Sequence, residues 1–410
     1  MNNVELSAKK CAVVYHVFAK YRYPIFQRLV NLNSKELSCS IFYDPDYKTT
    51  VEKIDPGAAN KGPWRKVKNV PIWGGLLWQR GVLKLAWSNE FDTLILLGDA
   101  YILSTWAAVV VARVRGKRVL FWTHGLYGRE SRLKLVIRVF FYKLANGLLL
   151  YGNHAWMLLR KQGFSSSSLY RVYNSLDYEL QRDANSGFVA QDLAALREEL
   201  FPSTSNYPLL CFVGRLISAK KLHLIIEAMA ALRVHKNVDI NLLLVGDGEA
   251  RKGLEILVTK HQLQGRVHFF GACYDEAEVG RLIAASSLCV SPGNIGLTAV
   301  HSLTYGTPVI THDSSQYQGP EFEAVIPGYN GEYFERDNVD SLAQQIEHWF
   351  LKNPTHATSQ VRARCKEIID EFYNPNYQVK VLQAAICNES ADDITGSEGF
   401  ILRRSLRDAS

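Results

Sequence analysis

The chain has 410 residues, 47% hydrophobic and 21% charged, which is typical of a soluble protein with two or at most three domains. No apolar run reaches the roughly 18 residues that a membrane-spanning helix needs, and Met1–Lys10 lacks the apolar core of a secretory signal. We therefore expect a cytoplasmic protein. The seven cysteines form no CxxC pair, so a disulfide framework or a zinc site is not expected.

Positive charge is concentrated in the first part of the chain. Residues 1–180 contain 26 Lys/Arg and 12 Asp/Glu, a formal charge of +14, whereas the remainder contains 21 and 28, a charge of −7. Such asymmetry favours an anionic partner, for which nucleic acid, a phosphorylated lipid and an anionic membrane face are the candidates. A solvated basic surface without a partner is the alternative.

Strands alternate with helices in the first half, at a spacing that predicts a parallel sheet with helices on both faces. The predicted strands are Ala12–Phe18, Ser38–Tyr43, Leu94–Leu97, Arg118–Trp122 and Gly147–Tyr151, and the predicted helices are Pro24–Leu32, Ile102–Val114 and Leu133–Leu144. Polar stretches at 165–168 and 181–187 predict a boundary. The N-terminal domain is thus expected to span 1–180 and a linker 181–206.

The alternation restarts after Pro202, and each early strand ends in glycine before a helix. The predicted strands are Leu209–Val213, Asn241–Val245, Val267–Phe270, Leu288–Ser291 and Pro308–Thr311, with helices at 223–232, 250–262, 275–285, 339–351 and 359–373, and one more from the loop 292–296 to about 305. This predicts a second doubly wound domain over 207–375. The last segment, 376–410, is predicted to end in a poorly ordered tail from Asn388 onward.

The second half resembles the GT-B glycosyltransferases of family 4, also called group 1. The matching motifs follow one another at family-like spacing: Phe212-Val213-Gly214-Arg215-Leu216, Leu243-Leu244-Val245-Gly246-Asp247-Gly248, Arg266-Val267-His268-Phe269-Phe270-Gly271, Val290-Ser291-Pro292, Tyr305-Gly306-Thr307-Pro308 and Gly328-Tyr329-Asn330-Gly331. Each piece alone is weak, and the ordered set is specific. The resemblance implies a GT-B fold, that is, two Rossmann-like domains with a cleft between them, and a nucleoside-diphosphate sugar as donor.

Two cations are the leading candidates for binding the donor's diphosphate. Arg215 and Lys220 follow the first strand of the second sheet, so they are expected at its carboxyl edge, where α/β sheets bind ligands. An arginine offers a planar fork to phosphate oxygens and a lysine a point charge. The resemblance assigns both to the diphosphate. It also assigns the donor to Gly214 and to the turn that opens the next helix, which comprises Gly293, Asn294, Gly296, Leu297 and Thr298.

The chain departs from the family at two positions that usually carry glutamate. Gly293 and His301 stand there. The second glutamate usually accepts the ribose hydroxyls, whereas a neutral imidazole accepts one hydrogen bond and donates one. Glu323 matches a third family glutamate, and Glu321 is either a replacement for the lost carboxylate or an exposed loop acid.

The first half carries two further candidates. His124 ends a predicted strand in a His-Gly pair, and family members often place a histidine there to face the donor sugar. The family's early glycine loop is absent, and Arg22 in its place either meets a phosphate, which would make it an acceptor-binding residue, or is a surface charge. Asn174 belongs to an Asn-Ser-Leu-Asp motif expected at the domain junction.

Two segments combine cations with aromatic side chains. Lys61–Lys84 contains three tryptophans among six cations, and Ser131–Leu144 sets basic residues beside Phe140 and Phe141. Both suit an anionic membrane interface. For the second, a Rossmann helix with a buried face and a basic outer face is the favoured alternative.

The resemblance therefore implies a retaining glycosyltransferase without a metal or cofactor. The basic and aromatic first half suggests a lipid-linked or other glycan acceptor at the inner face of the plasma membrane. Bacterial surface-polysaccharide or O-antigen (lipopolysaccharide) assembly fits this prediction, and nucleic acid does not. A degenerate binding or scaffold protein and a sugar-nucleotide epimerase of the same architecture are the alternatives.

Overall fold

The computed structural model describes residues 8–32, 37–49, 52–56, 63–353 and 358–395. These residues form two compact units. The first combines the chain up to Asp177 with the segment that begins at Pro375, and the second runs from Tyr178 to Asn374.

The first unit is built on a seven-stranded sheet in the order β3-β2-β1-β6-β7-β8-β9, with every neighbouring pair parallel. Its strands are β1 (Lys9–Val14), β2 (Leu37–Tyr43), β3 (Trp64–Lys66), β6 (Thr93–Leu97), β7 (Arg118–Thr123), β8 (Gly147–Leu150) and β9 (Leu169–Arg171). A separate antiparallel hairpin pairs β4 (Lys68–Pro71) with β5 (Leu77–Arg80). Continuous apolar runs such as Leu94–Leu96 form the central strands because both faces of the sheet are covered.

Helices cover both faces of this sheet. They are α1 (Tyr23–Asn31), α2 (Val82–Trp87), α3 (Leu103–Val114), α4 (Arg132–Lys143), α5 (Asn153–Lys161), α14 (Pro375–Cys387) and α15 (Ala391–Thr395). Side chains of α1 and α14 share one core cluster with alternate residues of β1 and β2. Side chains of α2, α3 and α4 belong to the cluster on the other face.

The second unit contains a six-stranded parallel sheet in the order β12-β11-β10-β13-β14-β15. Its strands are β10 (Leu209–Val213), β11 (Asn241–Val245), β12 (Val267–Gly271), β13 (Leu288–Ser291), β14 (Val309–His312) and β15 (Gly331–Phe334). Its helices are α6 (Tyr178–Ser186), α7 (Ala190–Leu200), α8 (His223–Lys236), α9 (Arg251–Lys260), α10 (Glu276–Ala285), α11 (Thr298–Thr304), α12 (Val339–Lys352) and α13 (Ser359–Glu371). The predicted fold class, two doubly wound parallel sheets, is confirmed.

The domain bounds differ from the predicted ones. The predicted linker, 181–206, holds most of α6 and all of α7, which belong to the second unit: Leu196 is buried, and Arg197 donates to the carbonyl of Ala285. The predicted C-terminal segment returns to the first unit, where Arg118 Nε donates to the carbonyl of Ala385 at 2.8 Å. Contacts between residues this far apart in sequence leave no local pattern.

The tail predicted to be poorly ordered begins inside a described segment. Helix α15 packs there with Ala391 fully buried, and Ser166 Oγ donates to Asp392 Oδ2 at 2.9 Å. Residues 396–410, like 1–7 and Lys61, lie outside the described residues. No helix in the described ranges combines the length and the apolar character that crossing a bilayer requires.

Replacing Leu382 by alanine tests whether α14 is part of the first unit's core. Leu382 is fully buried in the cluster shared with α1 and β1, so we expect a loss of about 2–5 kcal/mol in the free energy of unfolding. Lys380→Ala, at an exposed position of the same helix, is the matched control. Equal unfolding curves for both variants in urea would contradict this assignment.

Candidate functional site

The second unit has a topological switch point between β10 and β13. From β10 the chain adds β11 and β12 on one side, and from β13 it adds β14 and β15 on the other. The two strands are direct neighbours, with Leu210 opposite Leu288. In open α/β sheets, ligands bind outside the carboxyl ends of the strands at such a point. The site is therefore expected where β10 and β13 end.

The loops that follow these two strands are joined. Lys220 lies in a 3-10 turn after β10, and its Nζ donates to the carbonyl of Asn294 after β13. The Gly293 amide donates to the carbonyl of Lys220 at 3.1 Å. Burial lowers the pKa of Lys220, and the positive charge of Arg215 lowers it further, while Glu321 acts in the opposite direction. The predicted cations and Glu321 thus lie within electrostatic range of one another.

Close packing explains the glycine at position 293. A Cβ atom there would overlap the carbonyl oxygen of Ala219 and come within 2.8 Å of Lys220 Cα. Backbone atoms cannot yield as a flexible side chain can, so no carboxylate fits at this position while the two loops stay joined. The departure at Gly293 therefore has a steric cause within this fold.

Glu321 lies beside the same turn. Asn294 Oδ1 accepts from the Gly319 amide at 2.9 Å. A Cβ placed on Gly319 would be 2.8 Å from Glu321 Oε2 and 3.5 Å from Gly296 Cα. With 6% of its surface exposed, Glu321 is not the exposed loop acid of the alternative interpretation. Whether it replaces the lost carboxylate toward a donor stays a prediction.

Glu323 lies two residues further on, with 5% of its surface exposed. It is close enough to Tyr333 of β15 for its charge to raise the pKa of that phenol, after burial, which is the larger cause. Glu321 thus lies beside the turn 293–296, whereas Glu323 lies near Tyr333.

The turn before α11 offers less to an anion than the sequence suggested. Helix α11 has only seven residues, so its dipole is small. The Gly293 amide is bonded to Lys220, and the Ile295 amide donates to Gln318 Oε1 at 2.9 Å. Anion binding here therefore depends on Arg215, which is exposed, and on Lys220 more than on the helix terminus.

His301 has a partner that no sequence motif indicated. Its Nε2 lies 2.9 Å from Oε1 of Glu276, the first residue of α10. Thr298, three residues earlier, donates from Oγ1 to the carbonyl of Val213 at 3.3 Å, which fixes α11 against the end of β10. The helix α10 was predicted, but which of its residues faces α11 depends on packing between elements 25 residues apart.

In the first unit, three aromatic residues follow the carboxyl ends of strands at the same edge of the sheet. Tyr15 follows β1, His124 follows β7 and Tyr151 follows β8. The His124 ring lies on Tyr151 with 4.6 Å between centroids, and the Tyr15 and Tyr151 hydroxyls are 2.9 Å apart. No hydrogen bond joins the His124 ring to another residue in the described ranges.

His124 is neutral above acidic pH. More than a third of its surface meets solvent, yet the protein around it excludes much of the bulk water. This desolvation, with the charges of Arg22 and Arg138, lowers its pKa to about 4. The ring can therefore accept one hydrogen bond and donate one. Its contact with a donor sugar stays a prediction.

Arg22 is not a surface charge. Only 2% of its surface is exposed, and Nη2 donates to Tyr151 Oη at 2.7 Å. Its guanidinium lies over the rings of Tyr15, Trp122 and Tyr151 at 5.0–5.7 Å from their centroids. The predicted acceptor-binding role is therefore not supported. Arg22 instead holds the tyrosine on which His124 rests.

Comparison with known proteins supports the resemblance seen in the sequence. Residues 197–369 match the family described as "Glycosyl transferases group 1". The chain is 37% identical over 126 residues to a glycogen synthase of Leptothrix cholodnii, covering 30% of this chain and 25% of that protein. It is 30% identical over 149 residues to a lipopolysaccharide core biosynthesis glycosyltransferase, LpsE, of Rhizobium meliloti, covering 36% and 41%. The chain thus spans less than half the length of these relatives.

Two solved structures match most of the chain. Anabaena HepE in complex with UDP superposes with a TM-score of 0.67 at 18% identity, covering 92% of this chain and 99% of that one. A lipopolysaccharide outer core galactosyltransferase, WaaB, gives 0.67 at 15% identity, covering 92% and 99%. These similarities confirm the GT-B fold.

His312 provides a test of acid stability in the second unit. It ends β14 with 2% of its surface exposed, and Nδ1 accepts from the Ser314 amide at 3.2 Å. Burial and the charge of Arg336 lower its pKa to about 4, against about 6.5 in an unfolded chain. Between these values the unfolded state binds the proton first, so the free energy of unfolding falls as the pH falls, by up to about 1.4 kcal/mol per pH unit.

The variant His312→Asn keeps an acceptor for the Ser314 amide and cannot take up the proton. We expect its melting temperature to decrease less than that of the wild type as the pH is lowered from about 7 to about 5. Calorimetry of the full chain measures both. Equal decreases in the melting temperatures of the two proteins would show that protonation of His312 does not cause the loss of stability at low pH.

Proposed function

We propose that this chain transfers a sugar from a nucleoside-diphosphate donor to an acceptor hydroxyl, because residues 197–369 match the family described as "Glycosyl transferases group 1". The observation that supports the proposal most directly is the meeting of Arg215, Lys220 and Glu321 beside the turn 293–296, at the switch point of the second sheet. HepE, which shares the fold, is described in complex with UDP.

The donor's pyrophosphate binds at Arg215 and Lys220 in this proposal. Lys220 Nζ donates to the carbonyl of Asn294, and a carbonyl is a weaker partner for an ammonium than a phosphate oxygen. Burial is the larger cause of the lowered pKa of Lys220, and repulsion from the positive charge of Arg215 lowers it further. An anion with two negative charges relieves this repulsion.

The same cations act in the chemical step. The bond between the anomeric carbon and the β-phosphate oxygen breaks, and the acceptor oxygen bonds to that carbon. The acceptor proton leaves with the nucleoside diphosphate. Negative charge grows on the departing phosphate, so Arg215 and Lys220 stabilise the transition state more than the bound donor. Retention of configuration, and catalysis without a metal or cofactor, are part of the proposal.

The acceptor is proposed to be lipid-linked, because α4 exposes an apolar stripe. Its inner side packs Phe141 and Tyr142 into the core. Its outer side exposes Leu133, Val136, Ile137 and Phe140, by 43–71% of their surface. The spacing of i, i+3, i+4 and i+7 makes one continuous face. The outer face of α4 therefore carries exposed apolar side chains in addition to its cations.

Charge around this α4 stripe indicates which kind of surface it suits. Arg132, Lys134 and Lys143 on the same helix are exposed. An apolar face bordered by cations binds the headgroup region of an anionic membrane. Trp73, 92% exposed after β4, is a second apolar group available to such a surface.

Surface-polysaccharide assembly is the proposed context. A transferase held at an anionic membrane meets acceptors carried on lipid, and the similarity to LpsE and WaaB, both described as lipopolysaccharide glycosyltransferases, favours this class. The lipopolysaccharide or O-antigen assignment and the location at the inner membrane face belong to this proposal.

Arg215→Ala and Lys220→Ala test the diphosphate site. Each should lower kcat/KM for transfer by about 100-fold or more, because each removes a charge-assisted contact to the departing phosphate. The assay follows release of nucleoside diphosphate from a panel of UDP-, GDP-, ADP- and CDP-type sugars, with a lipid extract as acceptor. Lys252→Ala, exposed on α9, is the matched control.

Other outcomes of that assay would exclude the proposal. Full activity of both variants would refute the assigned site. Donor binding without transfer would favour a scaffold protein, and conversion of the donor without an acceptor would favour an epimerase.

Val136→Ser/Phe140→Ser tests the membrane surface. We expect several-fold weaker binding to vesicles of phosphatidylglycerol and phosphatidylethanolamine, because two exposed apolar side chains are lost from the α4 stripe. Val234→Ser/Ile256→Ser removes two equally exposed apolar residues from the second unit and should leave vesicle binding unchanged. Co-sedimentation measures both, and equal losses would contradict a role for α4.

A further inference from the structure

A carboxylate on one helix of the second unit is bonded to an imidazole on another. Oε1 of Glu276 lies 2.9 Å from His301 Nε2. The same oxygen accepts from Tyr305 Oη at 2.8 Å and from Gln181 Nε2 at 3.0 Å. Helices α6, α10 and α11 therefore all contribute to fixing this one carboxylate.

The hydrogen-bond pattern determines which nitrogen of His301 carries the proton. Burial by itself raises the pKa of Glu276, but the hydrogen bond and electrostatic attraction from His301, together with the hydrogen bonds from Tyr305 and Gln181, outweigh it and hold the pKa below its ordinary value. An ionised carboxylate only accepts hydrogen bonds, so the contact with His301 requires a proton on Nε2. In a neutral ring Nδ1 is then an acceptor.

The acceptor nitrogen is available. His301 makes no second hydrogen bond to any residue in the described ranges, and 16% of its side chain is exposed. On Glu276, 31% of the side chain is exposed, and three donors converge on Oε1. The pair thus presents hydrogen-bond acceptors to solvent.

The pair lies next to the switch point. Thr298 touches the end of β10 through the carbonyl of Val213. His301 is three residues further along α11, about 4.5 Å along the helix axis and on the same side of the helix. In a nucleoside diphosphate the ribose hydroxyls are a few bonds from the pyrophosphate. The ribose hydroxyls of a donor bound through Arg215 and Lys220 are therefore expected within a few ångströms of the start of α11.

We propose that Glu276 is a positioning residue of a ribose subsite: it holds the His301 proton on Nε2, so that Nδ1 accepts a hydrogen bond from a ribose hydroxyl of the nucleoside diphosphate. This inference rests on the proposed function. Tyr305 and Gln181 keep Glu276 in place. Glu276 and His301, which lie on different helices, then together supply the hydrogen-bond acceptor for the hydroxyl. In the family pattern a single glutamate at position 301 supplies it.

Nucleotide binding by calorimetry tests the subsite. The wild type should bind its preferred nucleoside diphosphate, chosen among UDP, GDP, ADP and CDP, about 3- to 10-fold more tightly than the more weakly bound of its 2′-deoxy and 3′-deoxy forms, as expected for one hydrogen bond. Glu276→Ala frees both the His301 ring and its proton, so it should lower this ratio toward 1 while leaving the affinity for inorganic pyrophosphate unchanged.

Two further variants control this experiment. Glu276→Gln conserves size and still bonds His301, but an amide either donates or accepts and no longer fixes the tautomer, so an intermediate ratio is expected. If Glu276→Ala does not fold, the comparison of Glu276→Gln with the wild type provides the test instead. Glu278→Gln changes a neighbouring glutamate that pairs with Arg281 and should keep the wild-type ratio.

A second measurement distinguishes positioning from a merely structural role. Nitrogen chemical shifts of ring-labelled histidine report the tautomer, and His301→Asn identifies the signal. The wild type should show the Nε2–H form, and Glu276→Ala should show a mixture of both forms.

The outcomes separate this inference from the proposed function. A wild type that binds nucleoside diphosphates, combined with an unchanged ratio in Glu276→Ala or with a His301 proton on Nδ1, would overturn the subsite and leave the donor site standing. A wild type that binds no nucleoside diphosphate would overturn the proposed function and this inference with it.

Discussion

The contact between two backbone segments at the switch point constrains the rest of the site. The carbonyl of Ala219 and the backbone of Lys220 lie so close to Gly293 that no side chain fits there. The hydrogen bond from the Gly293 amide to Lys220 holds the loops of β10 and β13 together. This contact puts a lysine beside the turn that begins α11, and it removes the place for an acidic side chain at the start of that turn.

Carboxylates near the turn and near α11 come from other segments of the second unit instead. Glu321 approaches the turn from the segment after β14, and Glu276 approaches α11 from the start of α10. Both glutamates are held by contacts that exist only in the folded second unit. The two departures from the family pattern, at Gly293 and His301, therefore need not mean that acidic groups were lost. They are consistent with acidic groups supplied by other elements of the same unit.

The sequence predicted the features that depend on residues close together along the chain, and it missed those that depend on contacts between distant residues. Strand ends marked by glycine placed Arg215 and Gly293 at one edge of the sheet, because parallel strands align their carboxyl ends. Glu276 could not be paired with His301, since the contact depends on the packing angle of two helices. Helix α14 could not be assigned to the first unit for the same reason: its partners lie more than 200 residues away.

The net charge of a segment is also an incomplete guide to function, because the sequence does not show which charges are exposed. Residues 1–180 carry +14, but one of those charges, Arg22, is buried among aromatic rings and contributes to internal structure. Arg138 is paired with Glu130 at 2.9 Å. A membrane senses only exposed charges within about one Debye length, roughly 8–10 Å in physiological salt. The cations that border the α4 stripe are exposed, and a charge count along the sequence cannot separate them from the buried ones.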